Sequence, residues 1–508
     1  MFASEQAGQV PAPPVTGVTT VPGPVLKLTS EEAVRMALEN NLGIQAQRLG
    51  PEIGTLGVAQ ARAAYKPTLF SNTLSRSSTN PPDFLSSGGQ TTIVTGGRNQ
   101  TSVGVQQYVP WGGGRYSLSL DASRGTTSGI SSFNPQLGSN LSASYNQPLL
   151  RNFRIDALRQ QVLVSRKNEE IADIQLQQQI TRTDRAVRSV YYDLVGAIAG
   201  LDVARESLGL ANELFKNNQR KVEVGTLAQI DILEAQAEVS SNEEAVINAE
   251  SRIRQVEDQL RALIMNPNQA DFWTMRLEPT EQPVMAPTPI DVDAAVQNAL
   301  KNRTDLAQVR RQMETTDINL AYARDQKMPA VDLSANYNTV GVAGTQFQFD
   351  PTGGFPPTIQ SQTQRSFGDA LRDVFGNQFK TWSVQVNVSY PIGTSAADAA
   401  LASTRLQKQQ EQTNLRELEM QIATSVRDAG RQVNTNLKRV EATRNARDFA
   451  QKRYDAEGKR MAVGLSTTFQ LFQAQRDLAR QRQNELSAVI DYNRALVNFR
   501  AVQSVPVQ

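Results

Sequence analysis

The sequence carries one arrangement of residues twice, once in each half of the 508-residue chain. Near the start of each half, one constant shift separates the matching residues: Ala33 and Ala295, Ala37 and Ala299, Asn40 and Asn302, Arg62 and Arg324, Pro67 and Pro329. Further along, a second constant shift matches Gly225 with Gly464 and Gln236 with Gln475. A repeat of this size predicts that each half folds as one copy of a shared unit, with loops of different length between the matched stretches.

Proline-rich segments precede the first copy and join the two copies. We predict five segments, namely an extended leader at 1–28, repeat 1 at 29–265, a linker at 266–290, repeat 2 at 291–503 and a tail at 504–508. Proline fixes φ and removes a backbone donor, so the leader and the linker are not expected to hold helices. Residues 1–9 lack the basic and apolar stretches of a secretory signal, and we expect that the signal has been removed from this numbering.

Each repeat is predicted to run from a short helix through strands to a long helix, a turn and a second short helix. Thr29 and Glu32 form a capping box at the first helix, and Pro67 ends it. The predicted segments are 29–65, strands within 67–147, 155–222 and 228–264 in repeat 1, and 292–327, strands within 329–391, 395–461 and 467–501 in repeat 2. A long helix of this size spans roughly 100 Å, and the two short helices of a repeat match it end to end.

Apolar residues seven positions apart mark the packing surface of these helices. One seam of the long helix holds Val187, Leu194, Leu201, Leu208, Phe215 and Val222. The returning helix repeats the spacing with Ile232, Val239, Val246, Ile253 and Leu260. This spacing predicts a left-handed coiled coil in repeat 1. Repeat 2 slips out of register near Arg482, so its supercoil is expected to relax there.

Between the short and long helices the period of the apolar residues changes to two. In repeat 2, apolar and uncharged polar residues alternate from Trp382 to Tyr390, and a similar alternation ends at Tyr337. Aromatic residues at the ends of an apolar face are typical of the two interfaces of a bilayer, so we predict that Trp382, Tyr390 and Tyr337 lie there. A soluble sandwich with one wet face would give the same alternation.

Two strands in each repeat are too few to close a barrel, so we expect several chains to contribute strands. Repeat 1 also contains a candidate hairpin, 102–109 with 115–123, around the Pro110-Trp111-Gly112 turn. Its place in the barrel is left open at this point.

Charge and composition exclude several classes of function. Lys and Arg number 52 against 50 Asp and Glu, so the chain lacks the basic excess of a nucleic-acid-binding protein. It contains no His and no Cys, which removes the usual ligands of zinc and the commonest general base and nucleophile of enzymes. It also lacks the G-x-S-x-G, S-x-x-K and P-loop patterns. We therefore predict no enzymatic activity, no cofactor, no metal site and no nucleic-acid partner.

Several motifs resemble those of the TolC-like outer membrane efflux family. They are L-T-S-E-E-A-V-R-M-A-L-E-N-N at 28–41, Q-P-L-L-R at 147–151, V-G-T at 224–226 and V-G-L at 463–465. Pro67 and Pro329 stand at the matching strand entries. The resemblance covers nearly the whole chain after the leader, and the duplication with its paired V-G turns is more specific than any single motif.

The resemblance implies an α+β membrane protein of the bacterial outer membrane, with each chain built from two internal repeats. Three chains would form a twelve-stranded transmembrane β-barrel continued by a long periplasmic α-helical coiled-coil barrel. Such a channel-tunnel would carry efflux or type I secretion through the lipid bilayer. Its expected partners are two further copies of the chain, a periplasmic adaptor (membrane fusion) protein and an inner-membrane pump.

The resemblance also implies two sets of site residues. Those of the adaptor-docking tips are Val224, Gly225, Thr226, Leu227, Val463, Gly464, Leu465 and Ser466. Aspartates that ring the closed aperture in the best-known members correspond here to Gln470 and Gln473, while repeat 1 has Asp231 and Glu234. We predict that these four residues form the periplasmic aperture. The family's arginine and tyrosine latch residues are replaced by Ser466 and Met461, so gating is expected to use polar contacts.

Two alternatives have no pore. A periplasmic adaptor also combines a helical hairpin with β-structure, but it would lack the duplication and the strands with aromatic ends. A coiled-coil scaffold would lack the segments of period two that interrupt both copies at matching places.

Overall fold

A computed structural model of the chain describes residues 24–81, 93–352, 354 and 357–503. Residues 1–23 of the predicted leader and the predicted tail lie outside the described residues. The chain divides into two compact units. Unit 1 comprises Met1–Arg48, Leu176–Thr304 and Glu419–Gln508, and unit 2 comprises Leu49–Gln175 and Asp305–Leu418.

The helices follow the repeat of the sequence. Repeat 1 contains α1 Ser30–Asn40, α2 Leu42–Ala63, α3 Ala157–Glu223 and α4 Gln229–Ile264. Repeat 2 contains α5 Val292–Asn302, α6 Thr304–Gln326, α7 Phe367–Phe375, α8 Ala396–Ala462 and α9 Thr468–Ala501. The long helices α3 and α8 have 67 residues each. Among the described residues, no helix is both long and apolar enough to span a membrane.

The structure differs from the predicted short helices 29–65 and 292–327, because each of them is two helices. The capping box at Thr29 is present, and the break follows at Asn41, whose backbone is extended. The Asn41 side chain accepts a hydrogen bond from Ile44 N at 3.2 Å and donates one to Leu263 O at 3.1 Å. An asparagine that bonds its own backbone competes with helix continuation. In repeat 2 the extended residue is Arg303.

The nine strands among the described residues form two sheets. They are β1 Val25–Leu28, β2 Thr68–Asn80, β3 Val94–Tyr108, β4 Arg115–Thr127, β5 Phe133–Pro148, β6 Arg276–Pro279, β7 Ala330–Phe349, β8 Ile359–Arg365 and β9 Phe379–Ser389. In unit 1, β1 pairs in parallel with β6, so part of the predicted linker 266–290 is a strand. The other seven strands form one sheet in unit 2.

Tyrosines on the long and returning helices hold the linker in unit 1. Tyr191 of α3 donates a hydrogen bond to Leu28 O at 3.2 Å and accepts one from Glu281 N at 3.0 Å. Tyr492 of α9 donates to Ala286 O at 3.2 Å and accepts from Thr288 N at 3.1 Å. Both tyrosines are fully buried. Their hydroxyl groups therefore satisfy the linker backbone groups Glu281 N, Ala286 O and Thr288 N, while Leu28 O also accepts from Thr280 N.

We expect Tyr492→Phe to destabilise the linker by about 0.5–1.5 kcal/mol, because Ala286 O and Thr288 N lose partly buried hydrogen bonds. Limited proteolysis of the native assembly should show faster cleavage near Thr288, with a lower midpoint of thermal unfolding. Tyr454→Phe is the control, since the Tyr454 hydroxyl makes no hydrogen bond to any described residue. Equal cleavage of the two variants would contradict the role given to Tyr492.

The sheet of unit 2 has one apolar and one polar face. The strand order is β2-β3-β4-β5-β7-β9, every neighbouring pair is antiparallel, and β8 pairs with the far end of β7. The hairpin that the sequence left open is β3 with β4, within this sheet. Cross-strand partners share a face, so the apolar face includes the partner pairs Tyr337 with Trp382 and Ala335 with Val384.

Helix α7 was not predicted, and it covers part of the apolar face. Thr339 on that face donates its hydroxyl to Val374 O of α7 at 3.2 Å. A Cβ at Gly341 would lie 1.9 Å from Ala370 O, so only glycine admits the helix at this distance. The nine-residue helix interrupts the segment 329–391, in which the sequence predicted strands.

Candidate functional site

The two turns between long and returning helices are built in the same way. After α3, Gly225 N donates to Val222 O at 2.9 Å and Thr226 N donates to Lys221 O at 2.8 Å. After α8, Gly464 N donates to Met461 O at 3.2 Å and Leu465 N donates to Arg460 O at 2.8 Å. Both glycines have positive φ, +79° and +75°. This pattern is a Schellman motif, which explains the V-G pair at each turn.

The turns are solvent-exposed in the single chain and present apolar side chains. Val224 is 73% exposed, Val463 70% and Leu465 73%. Apart from the adjacent residues, no atom lies within 4 Å of the position that a Cβ would take at Gly225 or at Gly464. Thr226 is exposed, whereas Leu227 and Ser466 are half-buried. Exposed apolar patches often mark sites of protein–protein interaction, because contact of their side chains with water is unfavourable. These two turns are therefore candidate contact surfaces for another protein.

Side-chain contacts between helices show that the two turns lie at the same end of unit 1. Arg476 Nε of α9 lies 3.6 Å from Glu238 Oε2 of α4. These residues stand twelve positions after Gly464 and thirteen after Gly225, respectively. Helix α9 runs antiparallel to α3, as α4 does, because Gln475 Nε2 donates to Ser207 O at 3.2 Å and, further along α9, Arg494 Nη1 lies 3.4 Å from Asp193 Oδ1. The two returning helices therefore run in the same direction from turns at similar depth.

Two of the four predicted aperture residues also start the returning helices. Asp231 Oδ2 accepts a hydrogen bond from Ala228 N at 3.3 Å at the start of α4. Gln470 Oε1 accepts from Thr467 N at 3.3 Å, and Thr467 Oγ1 accepts from Gln470 N at 3.3 Å, which is a capping box at the start of α9. Asp231 is half-buried and Gln470 is exposed. The second carboxylate oxygen of Asp231 has no described partner.

The other two predicted aperture residues are on the surface. Glu234 and Gln473 each stand one turn beyond the capping residue on their helix, and both are exposed in the single chain. Ser466, at one of the latch positions, lies 2.9 Å from Gln470 Oε1 and also donates to Glu457. Arg460 Nη1 lies 3.6 Å from Glu457 Oε2. These polar contacts link the end of α8 to the start of α9.

The sequence analysis did not predict three exposed apolar residues near the turns. Ile230, Leu233 and Phe469 lie in the first turns of α4 and α9 and are 60%, 61% and 57% exposed. Ile230 and Leu233 are three positions apart and fall outside the seam that runs from Ile232 to Leu260. An apolar pair outside the seam is the sequence signal that could have identified them. These side chains extend the apolar surface of the turns along the helices.

The predicted membrane-interface aromatics occupy the apolar face of the sheet and the end of β9. Trp382 is 70% exposed and pairs directly with Tyr337, which is 36% exposed and donates its hydroxyl to Asn377. Tyr390 follows the last residue of β9 and is 56% exposed. Between Trp382 and Tyr390, Val384, Val386 and Val388 are all exposed in the single chain.

Solved structures of bacterial membrane proteins have the same fold. A membrane protein from Pseudomonas aeruginosa aligns with a TM-score of 0.66 at 15% identity, over 98% of this chain and 96% of that chain. The CmeC outer membrane channel of Campylobacter jejuni aligns with a TM-score of 0.64 at 14% identity, over 94% of this chain and 85% of that chain. The outer membrane protein VceC of Vibrio cholerae aligns with a TM-score of 0.63 at 14% identity, over 93% and 96% respectively.

Sequence comparison identifies the family. No curated protein sequence matches the chain. The family model for outer membrane efflux proteins matches residues 113–265 and 295–502, one segment in each repeat. Together the two segments make up more than half of the chain, and they include both glycine turns. The chain therefore belongs to the outer membrane efflux protein family.

Proposed function

We propose that three copies of this outer membrane efflux channel form one conduit, which a periplasmic adaptor meets at the two glycine turns. Channels of this family work with adaptor proteins and inner-membrane pumps. The observation that carries the proposal is the pair of matching turns at one end of unit 1, with Val224, Val463 and Leu465 exposed. We propose that the sheet of unit 2 lies in the bilayer, with the helices in the periplasm.

Docking at the turns is supported by their shape as well as by their exposure. Each turn is tight, and apart from the adjacent residues no atom of the chain lies within 4 Å of a Cβ at its glycine. An apolar tip of another protein can therefore approach the backbone closely, which a bulky side chain at either glycine would prevent. The proposed docking residues are the eight predicted from the sequence, with Ile230, Leu233 and Phe469 at their margin.

We further propose that Asp231, with Glu234, Gln470 and Gln473 nearby, lines the closed periplasmic mouth. Asp231 lies in the first turn of α4, where the positive end of the helix dipole favours a carboxylate. Three copies would place three such carboxylates around one opening, and rings of acidic residues attract cations in narrow pores. Repeat 2 offers Gln470 and Gln473 at the same places, so the negative charge comes from repeat 1 alone.

We expect Asp231→Asn to lower the cation preference of the channel. In planar bilayers under a salt gradient, the reversal potential should move towards zero, and block by multivalent cations from the periplasmic side should weaken. The asparagine oxygen can still accept from Ala228 N, so the start of α4 is preserved while the charge is lost. Glu244→Gln, further along α4 on an exposed position, is the control and should change neither quantity. Unchanged reversal potential and block in the Asp231 variant would show that Asp231 only caps its helix.

A further inference from the structure

The sheet of one chain contains six strands of membrane-spanning length. They have 13, 15, 13, 16, 20 and 11 residues in the order β2, β3, β4, β5, β7 and β9. A strand crosses a bilayer in about 9–11 residues. The remaining strand, β8, has seven residues and shares the edge of β7 with β9, at the opposite end of β7.

From this sheet we infer that β9 of one copy pairs with β2 of the next, so that three copies close an eighteen-stranded barrel. The inference rests on the trimer of the proposed function. It differs from the twelve strands that the family resemblance implies, because the β3–β4 hairpin adds two strands to each chain.

The β3–β4 hairpin is part of the wall of the inferred barrel. One row of direct partners crosses all six strands on the apolar face: Leu69, Val105, Leu118, Ala143, Tyr337 and Trp382. The adjacent row on the other face is polar throughout: Thr68, Gln106, Ser117, Ser144, Asn336 and Ser383. The two faces of β3 and β4 therefore continue those of β5, β7 and β9. A hairpin that left the wall would break either the β2–β3 ladder or the β4–β5 ladder.

The two outer edges of the sheet are open in the single chain. Among the described residues, β2 pairs only with β3, and β9 pairs only with β7. Every residue of β9 is exposed, as are nearly all residues of β2. Backbone groups on such edges would face hydrocarbon without partners, which membranes do not tolerate. A second copy of the chain offers the complementary edge, and three copies leave no edge unpaired.

Strand direction allows this join. Each neighbouring pair in the sheet is antiparallel, and the number of strands between the two edges is even, so β9 runs opposite to β2. Pairing β9 with β2 of the next copy therefore continues the antiparallel order around the barrel. Barrel diameter grows roughly linearly with strand number, so eighteen strands give a barrel about 1.5 times as wide as twelve.

Disulfide cross-linking can test the pairing of β9 with β2 of the next copy. Because the chain contains no Cys, only introduced cysteines can form a bond. We would combine Val384→Cys on β9 with Cys at Leu69, Ser71 or Thr73, which lie on the same face of β2. Within one chain β2 and β9 are five strands apart, roughly 24 Å at the usual strand spacing. A disulfide requires Cα atoms within about 7 Å. Any bond between these positions therefore joins two copies.

The matched comparison is Val384→Cys with Leu120→Cys on β4, also on the apolar face. In a twelve-stranded barrel that leaves out β2 and β3, β4 would be the edge that meets β9. We expect oxidised membranes to give disulfide-linked oligomers for at least one β2–β9 pair and none for the β4–β9 pair. Single-cysteine variants should assemble like the parent protein and form neither bond.

The possible results distinguish failure of the β2–β9 pairing from failure of the proposed trimer. A bond between β4 and β9 without any between β2 and β9 would overturn the eighteen-stranded barrel. Absence of all bonds in an assembly whose native mass is three chains would also overturn it. A β2–β9 bond in an assembly of another copy number would instead overturn the proposed trimer, and with it the count of eighteen.

Discussion

Replacing both tip glycines with tryptophan, Gly225→Trp with Gly464→Trp, is expected to abolish export while the channel remains folded in the outer membrane. Apart from the adjacent residues, no atom of the chain lies within 4 Å of a Cβ at either glycine, so a tryptophan side chain has room to project into the proposed docking surface. The positive φ adds strain of roughly 1–2 kcal/mol at each turn. That strain is small for helices anchored along 67 residues.

The matched control is Gly225→Ala with Gly464→Ala. Alanine carries the same backbone strain at positive φ but adds only a methyl group, so export should be largely retained. The measurement is the rate at which preloaded cells lose an exported compound, with the amount of assembled channel determined in the same outer membranes. Normal export by the tryptophan variant, or equal loss in both variants, would show that the turns do not dock a partner through their surface.

A charge placed on the apolar face of β9 is expected to prevent assembly. Val384→Arg would put a guanidinium against lipid in the proposed barrel, at a cost of up to about 2–4 kcal/mol in each chain at the bilayer midplane. A trimer bears this cost three times. We expect little or no assembled oligomer in the outer membrane fraction, as judged by semi-native gel electrophoresis and immunoblotting.

Gln385→Arg is the control for this prediction, because Gln385 is the next residue of β9 and lies on the polar face. Its arginine would lie towards the water-filled lumen, and assembly should be close to that of the parent. Equal amounts of oligomer for the two variants would contradict the assignment of the apolar face to lipid.

Much of the fold could be predicted from periodicity and duplication. The two-repeat order of helices and strands follows from the matched residues and from the change of apolar period between helices and strands. The turns could be predicted because a glycine with positive φ leaves a clear mark between two heptad segments. The family assignment and the choice of a channel over an adaptor or a scaffold are confirmed by the family match.

Other features depend on contacts that the sequence does not display. At the helix break, Asn41 bonds its local backbone at Ile44 N and also reaches Leu263 O, far along the chain. Helix α7 lies against the sheet because Gly341 leaves room for Ala370, although the local pattern favoured strands. The number of strands was underestimated because β2 and β3 carry few large apolar residues, so their alternation is weak. Their place in the sheet is set by the pairing of β2 with β3 and of β3 with β4.

The site was predicted less completely than the fold. Tip and aperture residues were assigned by resemblance, which gives positions but not local contacts. Asp231 and Gln470 each also cap a helix, a role that the spacing of three residues from Ala228 and Thr467 indicates. Their part in the aperture remains a prediction, because it depends on neighbouring copies of the chain.

If this chain forms a water-filled pore across the outer membrane, the purified native oligomer should carry ionic current through planar bilayers. We expect discrete, uniform current steps as oligomers insert, with a preference for cations that depends on Asp231. Bilayers that contain inserted, folded oligomer but carry no more current than protein-free bilayers would contradict it.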